Sequence, residues 1–302
     1  MNRKAIIFFI LALFFIGLAF ISVKNFKELA KPALSGKLQV AASFYPLYFF
    51  SRQIGGDKAE VANIMPAGAE PHDYEPTALD LAKLENSRLI ILNGNGLEAW
   101  GDNLKKIIDH KKTKIITVET ELDATANVDP HVWLSPPLAK NMVDKIAQGF
   151  EQTDPLNKDY YEANVKALKD KLNSLDMAYK QTLSNCSQKN IIASHAAFGY
   201  LAKAYGFNQR AITGLTPDIE PTPAQLVDIT KFARDNQIKY IFFESLASPK
   251  LAQTVAREIG ADTLELNPLE GLSQEELAQG KNYFSIMQDN LTNLKTALQC
   301  QN

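Results

Sequence analysis

The sequence is poor in histidine and cysteine, with 4 and 2 of these residues among 302. It also has little excess charge, with a formal net charge of −2 at pH 7 and a pI near 6.1. Nucleic-acid-binding domains usually show a basic patch or a high pI, so no nucleic acid partner is expected. The sequence contains neither His-Glu-x-x-His nor Gly-x-Ser-x-Gly, the motifs of zinc peptidases and serine hydrolases. The apolar fraction of 46% is that of a globular protein.

A long apolar run occurs only at the N-terminus, where residues 5–23 follow Arg3 and Lys4 and carry no charge. A secretory core is about 7–15 residues long, whereas a membrane-spanning helix needs about 20. We therefore expect an uncleaved membrane anchor, with a long signal peptide as the alternative. A lipoprotein anchor is not expected, because no cysteine lies near the end of the run. In either case the chain from about residue 38 is exported, to the cell surface or the periplasm.

The two cysteines, Cys186 and Cys300, lie far apart in the sequence. In an exported protein, such a pair can form one disulfide. Two buried free thiols are the alternative, since spacing alone does not test the geometry of a bridge.

After residue 38, short apolar runs alternate with stretches of helical periodicity, which predicts an α/β fold with parallel sheets. Residues 1–37 form the N-terminal segment and tether, 38–154 a first lobe, 155–186 a linking helix and 187–302 a second lobe. The predicted strands are 38–43, 61–65, 89–92, 114–118, 191–194, 209–212, 240–243 and 263–266. The predicted helices within the lobes are 47–54, 77–85, 97–110, 223–236, 251–259 and 283–300.

The linking helix is predicted from one apolar stripe at steps of three and four residues. Asp154 provides an N-cap and Pro155 the first helical position. A helix over 155–184 would be about 45 Å long and would join the lobes stiffly. The stripe consists of Tyr161, Val165, Leu168, Leu172, Leu175, Tyr179 and Leu183.

Three of the four histidines lie in short, distinctive motifs. His72 lies in PHDYEP (71–76), His131 in DPHVWLSP (129–136) and His195 in SHAAFGY (194–200). Each motif lies after a predicted strand or at the start of a helix, and parallel sheets bind ligands beyond the carboxyl ends of their strands. Because imidazole is the commonest metal ligand, we expect these three side chains to form one metal site in the cleft between the lobes. His110 is instead expected at an exposed helix end.

A closed zinc site takes four ligands, and the fourth is expected from the second lobe. The candidates are Glu220, Glu244 and Glu270, with water as a further alternative. We prefer Glu270, because Gly271 permits a sharp turn that would aim the carboxylate inward. Glu244 or Glu220 would then orient a ligand from behind. Tyr74 and Trp133 are expected to pack around the site.

At these motifs the sequence resembles the zinc- and manganese-binding substrate-binding proteins of bacterial ABC importers. The resemblance covers about residues 38–300 and includes DIEP at 218–221. It implies two α/β lobes joined by one long rigid helix, an interlobe metal, and His72, His131, His195 and Glu270 as its ligands. It further implies a non-enzymatic, monomeric protein that delivers its cargo to a permease subunit. Unlike many zinc-type members, the chain has no histidine-rich loop at 119–128.

Three histidines and one carboxylate suit zinc better than manganese or iron, because oxygen-rich sites favour manganese. Manganese or iron on the same scaffold is the first alternative. The second is an exported zinc hydrolase, in which three histidines hold the metal, water takes the open position and Glu220 or Glu244 acts as base. An adhesin at the cell surface is a further alternative.

Overall fold

The computed structural model describes residues 36–118, 128–217 and 220–301. The predicted N-terminal anchor lies outside these ranges, as do nearly all of the loop at 119–128 and residues 218 and 219. Across the part of the chain that is described, no helix combines the length and the apolar character needed to cross a membrane.

Within the described ranges the chain forms eight strands and ten α-helices. The strands are β1 (Leu38–Ala42), β2 (Ala59–Asn63), β3 (Leu89–Leu92), β4 (Lys114–Thr117), β5 (Asn190–Ala193), β6 (Asn208–Ala211), β7 (Tyr240–Phe243) and β8 (Asp262–Glu265). The helices are α1 (Tyr45–Gly55), α2 (Ala78–Asn86), α3 (Gly101–Ile107), α4 (Pro136–Thr153), α5 (Lys158–Thr182), α6 (Gly199–Tyr205), α7 (Pro223–Asp235), α8 (Lys250–Ile259), α9 (Gln274–Ala278) and α10 (Tyr283–Ala297). Single 3-10 turns lie at Gly56–Lys58, Val132–Leu134 and Pro155–Asn157.

The strands form two parallel four-stranded sheets with the same topology. The order is β2-β1-β3-β4 in the first lobe and β6-β5-β7-β8 in the second. The central strand β3 is apolar because both of its faces are buried: Leu89 and Ile91 face one buried cluster, and Ile90 and Leu92 face the other. Strands covered by helices on both faces are apolar throughout. The predicted α/β fold with two parallel sheets is thus confirmed.

The long linking helix is confirmed as α5. It has 25 residues and is therefore about 37 Å long, somewhat shorter than predicted. Pro155 opens a separate 3-10 turn instead of the helix, and the Asp154 carboxylate accepts hydrogen bonds from Asn157 and Tyr161. The predicted stripe is the buried face of α5, with Val165 only partly covered. This face packs against α1 and α4 of the first lobe and α10 of the second.

One apolar cluster extends through both lobes by way of α5. It includes Ile91 from the first sheet, Leu172 from α5, Phe242 from the second sheet and Tyr283 from α10. Closely packed interiors resist deformation. The two lobes therefore share one continuous apolar core.

Other helix boundaries differ from the prediction for local reasons. Gly96 has a φ of 77° and the chain turns before α3, which begins at Gly101 and not at 97. Helix α10 ends at Ala297, because Gln299 adopts a φ of 54°. The short helices α6 and α9 had no sequence prediction, and for α4 only its start at Ser135-Pro136 was predicted.

Cys186 and Cys300 form a disulfide that closes a sequence separation of 114 residues. The two residues also form an isolated antiparallel bridge, which joins the segment after α5 to the end of α10. Cys186 precedes the amino end of β5, whereas His195 follows its carboxyl end. The disulfide and the histidine motif therefore lie at opposite ends of strand β5.

We expect the double variant Cys186→Ser/Cys300→Ser to lose about 2–4 kcal/mol of unfolding free energy, because an open chain has more conformational freedom when unfolded. Denaturant unfolding of the exported part measures this loss. Reduction of the unmodified chain is the control and should produce the same shift. Equal stability of the oxidised protein and the double variant would contradict the expectation.

Candidate metal centre

The histidine motifs and Glu270 lie beyond the carboxyl ends of the two sheets. His72 lies in a turn between β2 and α2, and His131 directly precedes the 3-10 turn at Val132–Leu134. His195 follows β5 by two residues, and Glu270 follows β8. In the second sheet the strand order reverses between β5 and β7, which is where open α/β sheets bind ligands.

The four side chains meet between the lobes, two from each. Their donor atoms all lie within 4.8 Å of one another. Glu270 Oε1 lies 2.9 Å from His131 Nε2, 3.3 Å from His195 Nε2 and 3.4 Å from His72 Nε2. His131 Nε2 and His195 Nε2 are 3.3 Å apart. The fold thus brings together three imidazole nitrogens and one carboxylate oxygen from four distant parts of the chain.

These separations match those of ligand atoms around one small cation. Zinc–nitrogen and zinc–oxygen bonds are about 2.0–2.2 Å long, so the edges of a tetrahedral zinc site are about 3.3–3.6 Å. The four measured contacts, between 2.9 and 3.4 Å, are close to that length. His72 Nε2 is buried, and its 3.4 Å contact with Glu270 Oε1 does not have the geometry of a hydrogen bond. A buried nitrogen of this kind is costly unless it has a partner, and a cation would supply one.

Two of the imidazoles are oriented by carboxylates behind them. Asp129 Oδ1 lies 2.7 Å from His131 Nδ1 and also accepts a hydrogen bond from the His131 backbone N–H. Glu244 Oε1 makes the same pair of contacts with His195, at 2.7 Å from Nδ1 and 3.1 Å from the backbone nitrogen. A carboxylate on the remote nitrogen fixes the tautomer and directs Nε2 toward a metal.

Gly199 lets Asp129 approach from the other lobe. A Cβ atom at this position would lie 2.9 Å from Asp129 Oδ2, closer than normal packing permits. Helix α6 begins directly against the carboxylate that orients His131. A larger residue than glycine at this position of the SHAAFGY motif would therefore clash with that carboxylate.

In the cluster, burial and the neighbouring charges act in opposite directions on the pKa of each group. Burial would lower the pKa of His131, but hydrogen bonds to Asp129 and Glu270 raise it overall. Burial acts in the same direction on His195, yet the charge of Glu270 and the hydrogen bond to Glu244 hold its pKa well above the usual range. Burial would raise the pKa of Glu270, whereas the charge of His195 and its hydrogen bonds keep it well below that range. Protons and a cation therefore compete for the same imidazole lone pairs.

A cavity of about 640 Å³ lies beside the cluster and is lined mainly by the second lobe. Glu70 lines it from the first lobe, and Ser194, Glu220 and Leu246 line it from the second. Glu70 had no sequence prediction, although it precedes His72 by only two residues and accepts a hydrogen bond from the His72 backbone. Burial, and next the charge of Glu270, raise the pKa of Glu70 to about 8.

The remaining candidates lie where their surroundings give them other roles. Glu244 stands behind His195, as the orienting role requires, whereas Glu220 is exposed on the cavity wall. His110 is exposed, with Nε2 2.7 Å from the Lys105 carbonyl oxygen. Trp133 is fully buried beside His131. Asp129 was not predicted to orient a ligand, and its position two residues before His131 was the available signal.

The protein has two α/β lobes, each with a parallel sheet, and one long helix links them. A cluster of three histidines and a glutamate lies between the lobes, which is the arrangement of a two-lobe binding protein. The family model of ZnuA, described as zinc-uptake complex component A, periplasmic, matches residues 40–297. The chain belongs to this family.

Three proteins illustrate the similarity. The zinc-binding lipoprotein AdcA of Streptococcus pneumoniae R6 is 41% identical over 278 residues, which are 86% of this chain and 56% of AdcA. The high-affinity zinc uptake system protein ZnuA of Bacillus subtilis is 40% identical over 87% of this chain and 88% of its own length. The crystal structure of the Zn(II)-bound ZnuA-like domain of S. pneumoniae AdcA superimposes with a TM-score of 0.78 at 42% identity, covering 87% of this chain and 99% of that domain. The chain thus spans little more than half of the AdcA protein.

We expect Asp129→Ala to weaken binding of Zn²⁺, used as a probe cation, by about 10–100-fold. Without the carboxylate, His131 Nδ1 loses the hydrogen bond that orients the ring. A competition titration against a chromophoric chelator measures the change. Asp102→Ala is the matched control, because Asp102 is an exposed aspartate that pairs with Lys105 on α3. Equal affinities of the two variants would remove the orienting role of Asp129.

Proposed function

We propose that this chain is the extracytoplasmic substrate-binding protein of an ABC-type importer, which captures Zn²⁺ and delivers it to the permease subunit. The observation that carries the proposal is the convergence of four donor atoms within 4.8 Å between the two lobes. Membership of the ZnuA family supports it, since that family is a component of a zinc-uptake complex. Zinc is the cargo and leaves the protein unchanged.

In this proposal the ligands are Nε2 of His72, His131 and His195 and Oε1 of Glu270. The two lobes, residues 38–154 and 187–302, each contribute two of them, and residues 155–186 hold the lobes together. Nitrogen-rich donor sets favour zinc over manganese, and the general affinity order also places zinc above manganese and iron. Manganese or iron on the same scaffold is therefore the weaker alternative.

A hydrolase with the same ligands has less support. A catalytic zinc keeps one position for water and has three protein ligands, whereas a fourth protein ligand closes the site. Glu270 is 1% exposed and its Oε1 lies within 3.4 Å of all three Nε2 atoms, which supports the closed form. Glu244, the candidate base, is already engaged behind His195.

The family is that of a periplasmic uptake component, which supports export of the chain. We propose that residues 1–37 hold it at the membrane, so that the cargo is captured close to the permease.

The direct test is the metal content and zinc affinity of the full chain, purified in mild detergent without chelator. We expect one zinc per chain, and a loss of affinity of at least about 100-fold for His195→Ala, because one imidazole ligand is removed. His110→Ala is the matched control and should retain the affinity of the unmodified chain, since His110 is exposed and outside the cluster. Equal effects of the two substitutions would remove the ligand assignment. Manganese in place of zinc would overturn the proposed cargo.

Zinc occupancy should also fall with pH. An imidazole must be deprotonated to bind a metal, so protons displace zinc as the pH falls from about 7 to about 4. Ligation by three imidazoles makes this loss steeper than ligation by one, because each ligand must be deprotonated to bind the metal. Dialysis at fixed free zinc, followed by metal analysis, measures the profile, while circular dichroism reports whether the fold is retained at each pH. A flat profile over this range would contradict ligation by imidazole.

A further inference from the structure

The backbone turn that carries Glu270 has a conformation that its sequence does not favour. Leu269, immediately before the glutamate, has a φ of 56° and is completely buried. Non-glycine residues rarely adopt this left-handed region, and a branched side chain such as leucine has no local hydrogen bond to compensate. Gly271, which the sequence suggested as the turn residue, does not have a positive φ. Such a turn persists only where its surroundings hold it in place.

Two buried asparagines hold the turn from the side of the second lobe. Asn267 Oδ1 accepts a hydrogen bond from the Leu269 backbone N–H at 2.8 Å. Asn290, on α10, contacts the backbone of Asn267 on both sides: its Oδ1 accepts from the N–H at 2.8 Å, and its Nδ2 donates to the carbonyl at 2.7 Å. Asn290 is 2% exposed. A buried amide on a helix is costly unless it is fully hydrogen-bonded, and both of these bonds go to one residue of the turn.

Trp133 holds the same turn from the first lobe. Its Nε1–H donates to the Pro268 carbonyl at 2.7 Å, two residues before Glu270. The Trp133 carbonyl in turn accepts a hydrogen bond from the Tyr283 hydroxyl on α10 at 2.6 Å. Helix α10 thus contacts the turn directly through Asn290 and indirectly through Trp133.

We propose that Asn290 is a positioning residue for the Glu270 carboxylate: through Asn267 it stabilises the left-handed turn at Leu269 and so places Oε1 among the three imidazoles. The inference rests on the proposed zinc-binding function. Asn290 is 20 residues from Glu270 in the sequence and contacts none of the histidines through any of the hydrogen bonds described above. Its effect on zinc binding must therefore pass through the turn.

A double-mutant cycle separates this role from a general structural one. Zinc affinity is measured for the full chain, Asn290→Ala, Glu270→Ala and the double variant, by competition with a chromophoric chelator. We expect Asn290→Ala to weaken zinc binding by about tenfold in the unmodified chain, as removal of an outer hydrogen-bond partner does. In the Glu270→Ala background the same substitution should change the affinity by less than about twofold, because the carboxylate that it positions is gone.

Co²⁺ in place of zinc gives a second readout. The visible spectrum of the Asn290→Ala variant should shift toward that of Glu270→Ala, since both lose the carboxylate from the coordination sphere. Asn293→Ala is the matched control: Asn293 lies on the same helix and donates to the Glu265 carbonyl, five residues before Glu270. It should leave the zinc affinity and the cobalt spectrum unchanged.

An equal loss of affinity in both backgrounds, or no loss in the unmodified chain, would overturn the role of Asn290 while zinc binding by the unmodified chain stands. If the unmodified chain binds no zinc, the proposed function fails and the inference fails with it. Thermal unfolding of each variant reports whether it is folded. If Asn290→Ala does not fold, Asn290→Leu removes the same two hydrogen bonds to Asn267 with a side chain of similar volume. Its effect must likewise disappear in the Glu270→Ala background, and persistence there would overturn the inference.

Discussion

The structure depends on one buried carboxylate placed among three imidazoles. Glu270 is 1% exposed, and an ionised carboxylate without partners in such a place is strongly unfavourable. Nitrogens from both lobes surround its Oε1 at 2.9–3.4 Å, so either protons or a cation must supply the positive charge. A divalent cation supplies it with all three imidazoles neutral. Asp129 and Glu244 then complement the remaining positive charge from behind the rings.

The short distances around Glu270 require that the two lobes keep a fixed position relative to each other, and extensive contacts join them. The four side chains come from two lobes and contact one another at 2.9–3.4 Å, and a flexible connection would spread those distances. The apolar cluster that runs through α5 is continuous between the lobes. Trp133 adds two buried hydrogen bonds across the same boundary, to Pro268 and from Tyr283. Separation of the lobes would break these contacts, which resists a wide hinge motion.

Patterns that are local in the sequence predicted most of the fold. All eight predicted strands overlap an observed strand, although β6 (NQRA) and β8 (DTLE) are only partly apolar. Helix α5 follows from one stripe at helical spacing, because burial imposes this period directly. The three histidines were predicted to meet because they follow strands of parallel sheets, and the structure brings them together. Glu270 was preferred over Glu220 and Glu244 because Gly271 follows it and because the family resemblance implied it. Its placement depends on the φ of Leu269 and on contacts with Asn290 and Trp133, which no local pattern records.

The reason given for preferring Glu270 illustrates the limit. Gly271 was expected to make the sharp turn, but the left-handed residue is Leu269. A Cβ at Gly271 would lie 3.2 Å from Leu246 Cδ1 and 3.5 Å from the Ala69 carbonyl oxygen. The glycine therefore serves a close approach between the lobes, near the loop that carries His72. Close approaches and tertiary hydrogen bonds depend on the assembled fold. The sequence alone could therefore identify Glu270 as a candidate, but it could not show what places its carboxylate in the cluster.

The four members of the cluster differ in how firmly they are held. His131 and His195 each have two contacts with a carboxylate, and Glu270 lies on a turn fixed from both lobes. His72 lies in a turn whose neighbour Asp73 is exposed, and its Nε2 has no hydrogen bond within the described ranges. Its backbone is joined to Glu70, which lines the cavity beside the cluster. The turn at His72 is thus held by fewer contacts than the other three members of the cluster.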